Sequence, residues 1–475
     1  MPTNSYNEIL YETSARFATH PDRLAAVARL FGMEAAPVER CRYLEIGCGN
    51  GSHITPLAYY LPQSRFVGVD LAEVPIANGE RRRAALELGN LTLRVGDLCE
   101  INDEWGEFDY IAAHGVYSWV PAEVRDALLR VCQERLSPNG VAFISYNALP
   151  GAYSRQFLRQ LMMFHTRNIK DNAERLREAR WSLQLLADSP WLPENWRTLL
   201  ESDLGMMQKL EDAWLFHDDL SESNHPMYFH EFAVHAARHG LQYLGDAEPH
   251  EMFDPQGLLN AVPCSFLERE QYLDFLKART FRQTLLCRQS QTLDRRPVED
   301  CLDRFLFSSF SKTVEDGKLE GARKVRITPM HDAVKQIAAA LSKVYPLPLA
   351  FRELIPHAGS EAALRSILTG MVVSGFADFH VHHFPCQKVV SANPAASRLA
   401  RYQARDSGRV TNACFRLLDL DAFGRRLVQL LDGSRTHRQI AEELAREPGA
   451  EAIEEIERQL PGHLERLARA TLLEG

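Results

Sequence analysis

The chain of 475 residues is longer than one hydrophobic core usually supports, so its length predicts two to four domains. A net charge of −9 argues against a protein that binds nucleic acid mainly by electrostatic attraction. Nine scattered cysteines without a C-x-x-C pair indicate reduced thiols. The N-terminus lacks a signal-peptide pattern and no apolar run approaches the ~20 residues of a membrane helix, so we expect a cytoplasmic protein without stable membrane insertion.

The first strong pattern lies at residues 43–51, which predict a buried strand followed by a glycine turn. Leu44 and Ile46 supply the apolar strand. Three alternating glycines follow, Gly47, Gly49 and Gly51. They let the backbone approach a ligand closely, because a Cβ at these positions would occupy the ligand's space or disfavour positive φ. A strand, a glycine turn and a helix in this order are typical of a nucleotide site at the carboxyl edge of a parallel sheet.

The segments that follow continue this alternation of strands and helices. A second strand ends at Asp70, whose carboxylate can accept hydrogen bonds from both ribose hydroxyls of a nucleotide. A third strand ends in Gly96-Asp97-Leu98. Further strands are predicted at residues 108–114 and 141–145. The predicted fold is therefore α/β with a Rossmann-like sheet.

The stretch from Glu45 to Gly51 resembles E-x-G-x-G-x-G, the first motif of class I S-adenosylmethionine (SAM) methyltransferases, and the later strands keep that family's order. The resemblance implies SAM as the cofactor, S-adenosylhomocysteine as its product, and an acid at Asp97 that reads the adenine amino group. The implied cofactor-binding residues are Glu45, Gly47, Cys48, Gly49, Gly51, Asp70, Leu71, Asp97, Leu98 and His114.

An N-terminal helix often closes over the cofactor in this family. The resemblance therefore makes Tyr6, Tyr11 and Phe17 candidates for a lid over the cofactor. Helical spacing of apolar residues before the first strand leaves an alternative, in which these rings only pack beside a helix.

Two loops at the predicted cofactor edge carry aromatic side chains, which is unusual because loops are normally rich in small polar residues. The loop after the fourth strand contains His114, Tyr117 and Trp119, and the loop after the fifth contains Tyr146 and Tyr153. We predict that these five residues form the catalytic, methyl-accepting pocket. The alternative is that the rings pack under the next helix.

A helical insertion is predicted at about residues 154–225, between the fifth strand and a late pair of strands near 241–244 and 280–288. The methyltransferase domain is therefore predicted to span residues 1–295. Asp218 and Asp219 follow the insertion and could form an acidic mouth for a cationic substrate or simply cap turns.

The rest of the chain shows helix, turn, helix, glycine and strand twice, which predicts α+β winged-helix-like modules at residues 296–400 and 401–475. His380 and His382 lie on one face of a predicted strand. A two-histidine metal site is the alternative, but we favour a packing or surface role and predict no metal site.

Three segments resemble the "methyltransferase regulatory domain" group of bacterial enzymes: residues 114–121, 217–229 and 281–287. This group includes protein-lysine methyltransferases that act on outer-membrane proteins. The resemblance implies methyl transfer to lysine side chains of a protein substrate, and a small-molecule acceptor is the alternative. A SAM-sensing DNA-binding regulator is disfavoured, because the candidate recognition helix at 361–373 carries one Arg and one Glu, so no nucleic-acid partner is predicted.

The implied reaction is an in-line displacement that requires no metal, and its main demand is the placement of two atoms at reacting distance. All the recognised cofactor motifs lie before residue 150. We therefore expect residues 300–475 to select the protein substrate. On this hypothesis they can be removed without loss of the SAM site, provided that the cut exposes no large apolar interface.

Overall fold

The computed structural model of the protein describes residues 14–254, 256–295, 298–385, 390–447 and 452–474. Within these ranges seven strands form one sheet in the order β3-β2-β1-β4-β5-β7-β6. The first five strands are parallel, and β7 is antiparallel to both of its neighbours. The predicted Rossmann-like sheet with a late strand pair is confirmed. Its strands are β1 (Arg42–Ile46), β2 (Arg65–Asp70), β3 (Leu91–Val95), β4 (Phe108–Ala113), β5 (Leu136–Asn147), β6 (Leu241–Asp246) and β7 (Phe281–Arg288).

Both faces of this sheet are covered, as is usual for parallel strands. In β1, Tyr43 belongs to the apolar cluster on one face, and Leu44 and Ile46 belong to the cluster on the other. This alternation follows from the two-residue period of a strand. The first helices that cover the sheet are α1 (Pro21–Leu30), α2 (Ile54–Tyr60), α3 (Glu73–Ala85) and α4 (Ala122–Arg135).

The segment after β5 is a helical layer with its own apolar cluster, in which Leu158, Leu183 and Leu215 are fully buried. It occupies residues 153–219, close to the predicted insertion, and ends in a π-helical turn at Leu215–Asp219. Its helices, and the two that precede β6 and β7, are α5 (Tyr153–Thr166), α6 (Asn172–Ala187), α7 (Glu194–Met207), α8 (Asp212–Trp214), α9 (Phe229–Arg238) and α10 (Phe266–Lys277).

The remaining chain forms two small α+β units. The elements of the first are β8 (Leu306–Ser308), β9 (Ser311–Thr313), β10 (Leu319–Gly321), β11 (Arg326–Ile327), α11 (Asp332–Val344), β12 (Leu349–Ala350), α12 (Phe351–Ala358), α13 (Glu361–Val373) and β13 (Asp378–His380). Those of the second are β14 (Ala395–Ala396), α14 (Arg398–Asp406), β15 (Arg409–Thr411), β16 (Leu417–Asp419), α15 (Ala422–Leu430), α16 (His437–Leu444), α17 (Ile453–Arg469) and β17 (Leu473–Glu474). None of the helices in the described part of the chain combines the length and apolarity that a membrane span requires.

A buried carboxylate joins these units to the sheet. Asp378, at the start of β13, accepts hydrogen bonds from Arg23 of α1 at 2.5 Å, from Arg323 at 2.8 Å and from Arg416 at 3.2 Å. Burial opposes ionisation, but the three guanidinium groups outweigh it and hold the pKa of Asp378 well below its usual range. One anion therefore contacts all three parts of the chain.

A second buried carboxylate, Asp22 of α1, binds the end of β13 and the residues that follow it. Asp22 accepts the backbone N–H groups of Val381 and His382 at 2.8 and 2.9 Å, and its other oxygen lies 2.8 Å from Nδ1 of His380. The histidine ring also contacts Ser308 through Nε2. His380 is thus a buried packing residue whose carboxylate partner comes from a distant part of the sequence.

The core around α1 is continuous with the first small unit. One apolar cluster contains Val27 and Tyr43 from the sheet region and Phe305, Leu368 and Phe379 from the unit that follows. The hypothesis that residues 300–475 can be removed harmlessly therefore fails on its own proviso, since the cut would uncover this cluster and leave Arg23 without its carboxylate.

Phe17 lies at the same junction. Its ring packs 5.6 Å from the rings of His20 and His380, and Arg23 lies over it at 5.1 Å. Of the two interpretations of Phe17, a lid or packing beside a helix, this placement supports packing, while Tyr6 and Tyr11 lie outside the described residues.

Asp378→Asn should lower the free energy of unfolding by about 3–5 kcal/mol, because it leaves buried guanidinium groups without their counter-charge. Urea denaturation followed by circular dichroism measures the change. The matched control is Asp419→Asn, which removes an exposed ion pair with Arg409 and should cost less than about 1 kcal/mol. Similar effects of the two substitutions would contradict the role of Asp378.

Candidate functional site

A cavity of about 580 Å³ opens where the parallel strands β1 to β4 end. Its wall contains Gly47 after β1, Asp70 at the end of β2, Asp97 after β3 and His114 after β4. Ligands of open α/β sheets bind at this carboxyl edge. The structure therefore brings together the ends of the sequence motifs that predicted a cofactor site.

The glycine turn shapes the floor of the cavity. The backbone N–H groups of Gly47 and Cys48 both donate to the carbonyl of Val69, which ties the turn to β2. Gly47 and Gly49 have φ of 75° and 53°. A Cβ on Gly47 would lie 2.7 Å from Cγ2 of Val116, so only glycine fits this position.

Asp70 is fixed by the backbone around it. Its Oδ2 accepts the N–H of Gly49 at 2.8 Å, and its Oδ1 accepts the N–H of Ala72 at 2.8 Å. Each oxygen retains a lone pair for a ligand hydroxyl. Burial raises the pKa of Asp70, although the backbone donors act in the opposite direction.

Glu45 lies buried behind the turn. Burial, and then the charge of Asp70, raise the pKa of Glu45 well above its usual range, and its Oε2 has no hydrogen-bond partner among the described residues. Glu45 thus supports the turn and does not itself reach the cavity. The residues that do line it fit SAM, because the Asp70 carboxylate can accept hydrogen bonds from ribose hydroxyls and the glycine turn leaves space for the cofactor.

Several predicted cofactor residues do not line the cavity. Glu45, Cys48 and Gly51 support the turn from behind, and Cys48 is 1% exposed. Asp97, Leu98 and Leu71 do line it. Asp97 also accepts the N–H of Cys99 at 2.9 Å and so begins the short helical turn that follows β3.

The loop after β4 contributes His114 and Trp119 to the cavity wall. Nδ1 of His114 lies 3.1 Å from the hydroxyl of Ser145, which also accepts the N–H of Gly115. Burial first, then the positive charge of Arg16, lowers the pKa of His114 well below its usual value. The imidazole is therefore neutral at physiological pH.

The structure corrects the placement of the three predicted tyrosines, none of which is in the cavity lining. Tyr117 and Tyr146 are fully buried around Phe232, and the rings of Tyr146 and Phe232 stack at 4.3 Å. Their side chains point to the sheet face that α9 covers. Tyr153 begins α5, is 55% exposed, and its hydroxyl lies 3.0 Å from that of Tyr228.

Other lining residues carry no signal in the sequence, because they come from segments distant from the motifs. Arg16 precedes α1, and Trp214 comes from the helical insertion. Trp119 donates from Nε1 to the carbonyl of Asp218 at 3.4 Å. Asp218, predicted as part of an acidic mouth or a turn cap, lines the cavity. Its neighbour Asp219 is buried and does not line the cavity. Further lining residues are Asn147, Phe281 and Arg155.

Arg155 is already neutralised. Its guanidinium makes two hydrogen bonds of 2.8 Å to the buried carboxylate of Asp219. The carboxylate of Asp218 lies 3.9 Å from the same guanidinium and forms a longer ion pair with it. The insertion thus places Asp218 at the cavity next to Arg155.

Comparison with known proteins agrees with this architecture. Three family models match the chain: a methyltransferase domain at residues 44–142, a predicted methyltransferase regulatory domain at 211–288, and the PKMT C-terminal winged helix domain at 392–472. The last match covers the second small unit and begins nine residues before the predicted boundary at 401.

One curated relative and one solved structure match over nearly the whole chain. The protein RP789 of Rickettsia prowazekii is 30% identical over 476 residues, which cover 92% of this chain and 85% of that protein. RP028 of the same organism is 34% identical over 244 residues, or 50% of this chain and 96% of that protein. The structure of PKMT2 from Rickettsia typhi in complex with AdoHcy superposes with a TM-score of 0.85 at 25% identity, covering 98% of this chain and 100% of that one.

These matches confirm the resemblance on which the cofactor prediction rested. SAM is the cofactor of the methyltransferase domain, and the glycine turn, Asp70 and Asp97 lie where such a cofactor is expected. The chain belongs to the family of class I SAM-dependent methyltransferases that combine a methyltransferase domain, a methyltransferase regulatory domain and a PKMT-type winged helix domain.

Proposed function

We propose that the protein transfers a methyl group from SAM to the ε-amino group of lysine in a protein substrate. The observation that carries this proposal is the composition of one cavity. Its sheet side has the glycine turn and Asp70, and its other side has Trp119, Trp214 and Asp218. The similarity to PKMT2 supports a protein substrate.

On the sheet side, each group matches one part of the cofactor. Asp70 accepts from the ribose hydroxyls, and Asp97 lies on the side where the adenine is expected. Arg16 lines the cavity, and its charge reaches both His53 and His114. We assign Arg16 to the carboxylate of the cofactor's methionine part, because a guanidinium and a carboxylate form strong charge-assisted hydrogen bonds.

On the substrate side, the indole rings and an acid suit a lysine. Trp119 and Trp214 offer apolar surface to the methylene chain. Asp218 attracts the ammonium form that predominates at neutral pH. Asn147 uses its amide nitrogen to bind Asn224 at 3.1 Å, so its amide oxygen is left to accept an N–H from the amine.

The chemistry requires the neutral amine. Lysine has an unperturbed pKa of about 10.4, and an apolar pocket lowers that pKa by disfavouring the charged form. His114 is held neutral and adds no charge beside the acceptor. SAM supplies a methyl group on a sulfonium that leaves as a neutral thioether. The residues of the cavity then act mainly by alignment, which can account for much of the rate.

The cysteines support a reducing compartment. No disulfide joins two cysteines of the described residues, and reduced thiols are typical of such a compartment. We therefore place the reaction in the cytoplasm.

The proposed reaction is tested with the purified protein, SAM and a lysine-containing protein from the source cell. We expect mass spectrometry to detect methylation on lysine, and no product when the modified lysines are replaced by arginine. Methyl label that enters only the small-molecule fraction of a cell lysate would refute a protein acceptor.

The role of Arg16 is tested with two ligands. Arg16→Ala should weaken the binding of S-adenosylhomocysteine by about 1.5–3 kcal/mol, because a hydrogen bond to a charged group is lost. It should leave the affinity for 5′-methylthioadenosine unchanged, because that nucleoside lacks the amino-acid part. Calorimetry measures both affinities.

Two further variants complete that measurement. Asp70→Ala should weaken the binding of both ligands. Arg40 is an exposed arginine that binds Gln63, so Arg40→Ala should change the affinity for neither ligand. If Arg16→Ala weakened both ligands equally, the assignment of Arg16 to the carboxylate would be incorrect.

Asp218 should govern the acceptor and not the cofactor. Asp218→Asn should reduce kcat/KM for a lysine peptide by about 10–100-fold, the loss expected for one charged hydrogen bond, while SAM affinity stays unchanged. Glu222→Gln is the matched control, since Glu222 is exposed on the same segment and does not line the cavity. Both variants are measured by steady-state kinetics. An unchanged kcat/KM in Asp218→Asn would contradict a role for Asp218 in binding the lysine.

A further inference from the structure

Three metal-ligating side chains meet outside the methyl-transfer cavity. His235 lies in the last turn of α9, His239 follows one turn later, and Asp126 lies on α4. Oδ1 of Asp126 is 2.7 Å from Nε2 of His235 and 3.1 Å from Nε2 of His239. The three ligand atoms lie within 4.8 Å of one another.

This arrangement has the spacing of a helical metal site. Histidines four residues apart project from one face of a helix, as in known zinc sites. Tetrahedral zinc with bonds of about 2.0–2.1 Å places its ligand atoms about 3.3 Å apart. The observed distances of 2.7 and 3.1 Å are shorter than this by about 0.6 and 0.2 Å, so an outward shift of Asp126, whose side chain is 59% exposed, would admit an ion.

The second ring nitrogen of His235 already has a hydrogen-bond partner, which fixes the orientation of the ring. Nδ1 of His235 lies 2.5 Å from the hydroxyl of Tyr117, which is buried. Histidines that bind metal usually donate their second ring N–H to a fixed acceptor. An ion on Nε2 requires the proton on Nδ1, which then donates to the Tyr117 oxygen.

The surroundings leave room for solvent ligands. The side chains of His235 and His239 are each 22% exposed. Arg125 lies over the Tyr117 ring, with its guanidinium carbon 5.8 Å from the ring centre. Two imidazoles, one carboxylate and water form a donor set that suits Zn²⁺.

We propose that Asp126, His235 and His239 form a Zn²⁺ site that links α4 to α9. The bound ion joins the helix after the β4 loop to the helix before β6. Through His235 it also fixes Tyr117, which belongs to the same 3₁₀ turn as the cavity residue Trp119. The site is structural, because the ion lies behind the loop and outside the cavity lining. The sequence did not indicate it, since Asp126 is 109 residues from His235.

The experiment uses the full-length protein without a histidine tag, after removal of metal by a chelator. Zinc chloride is titrated by calorimetry into the wild type, Asp126→Asn, His239→Gln and the control His230→Gln. His230 lies on the same helix but contacts Gln271. We expect one ion per chain in the wild type and the control, and affinity lower by at least about ten-fold in both cluster variants.

Thermal unfolding gives a second readout, because an ion that binds only the folded state raises the melting temperature. Zinc should raise Tm in the wild type and in His230→Gln, and not in Asp126→Asn, an exposed substitution that leaves the fold intact. Equal zinc affinity in the wild type and both cluster variants would overturn the proposal. A wild type that binds no zinc would overturn it equally.

Discussion

The contact between Asp378 and the guanidinium groups of Arg23, Arg323 and Arg416 determines how the parts of this chain fit together. Arg23 is buried, and two of its nitrogen atoms have no partner among the described residues. A buried guanidinium without a counter-charge is strongly unfavourable. The small unit that contains β13 must therefore dock on α1 for the sheet region itself to be stable.

This junction is continuous with the cofactor site. The N–H of Arg16 donates to Nδ1 of His53, whose Nε2 lies 2.8 Å from the hydroxyl of Thr19. Tyr43 of β1 donates to the carbonyl of Thr19 at 3.0 Å. Residues 16–23 thus carry a cavity residue at one end and the buried Arg23 at the other. The division between a catalytic half and a substrate-selecting half is less sharp in the structure than in the sequence.

Local signals explain what could be predicted. The glycine turn, Asp70 and Asp97 are coded by short motifs, and a parallel sheet places strand ends together whatever the loops contain. The direction of an aromatic side chain is not coded in this way. Tyr117 and Trp119 are two residues apart in one turn, yet Tyr117 packs under the sheet and Trp119 lines the cavity.

Residues that reach the site from afar were beyond such reasoning. Arg16 and Trp214 carry no motif, and their positions depend on the packing of α1 and of the insertion. The partner of His380 was missed for the same reason, because Asp22 is 358 residues away and meets it only after docking. Tertiary packing decided each of these contacts.

The position of β7 between β5 and β6 has a consequence for biosynthesis. When β5 leaves the ribosome, the strand that will pair with its outer edge lies about 130 residues ahead, or about 7–27 s of translation at 5–20 residues per second. An open strand edge can pair with foreign chains during this interval. The helical insertion at residues 153–219 is synthesised within this interval, before the strand that closes the edge.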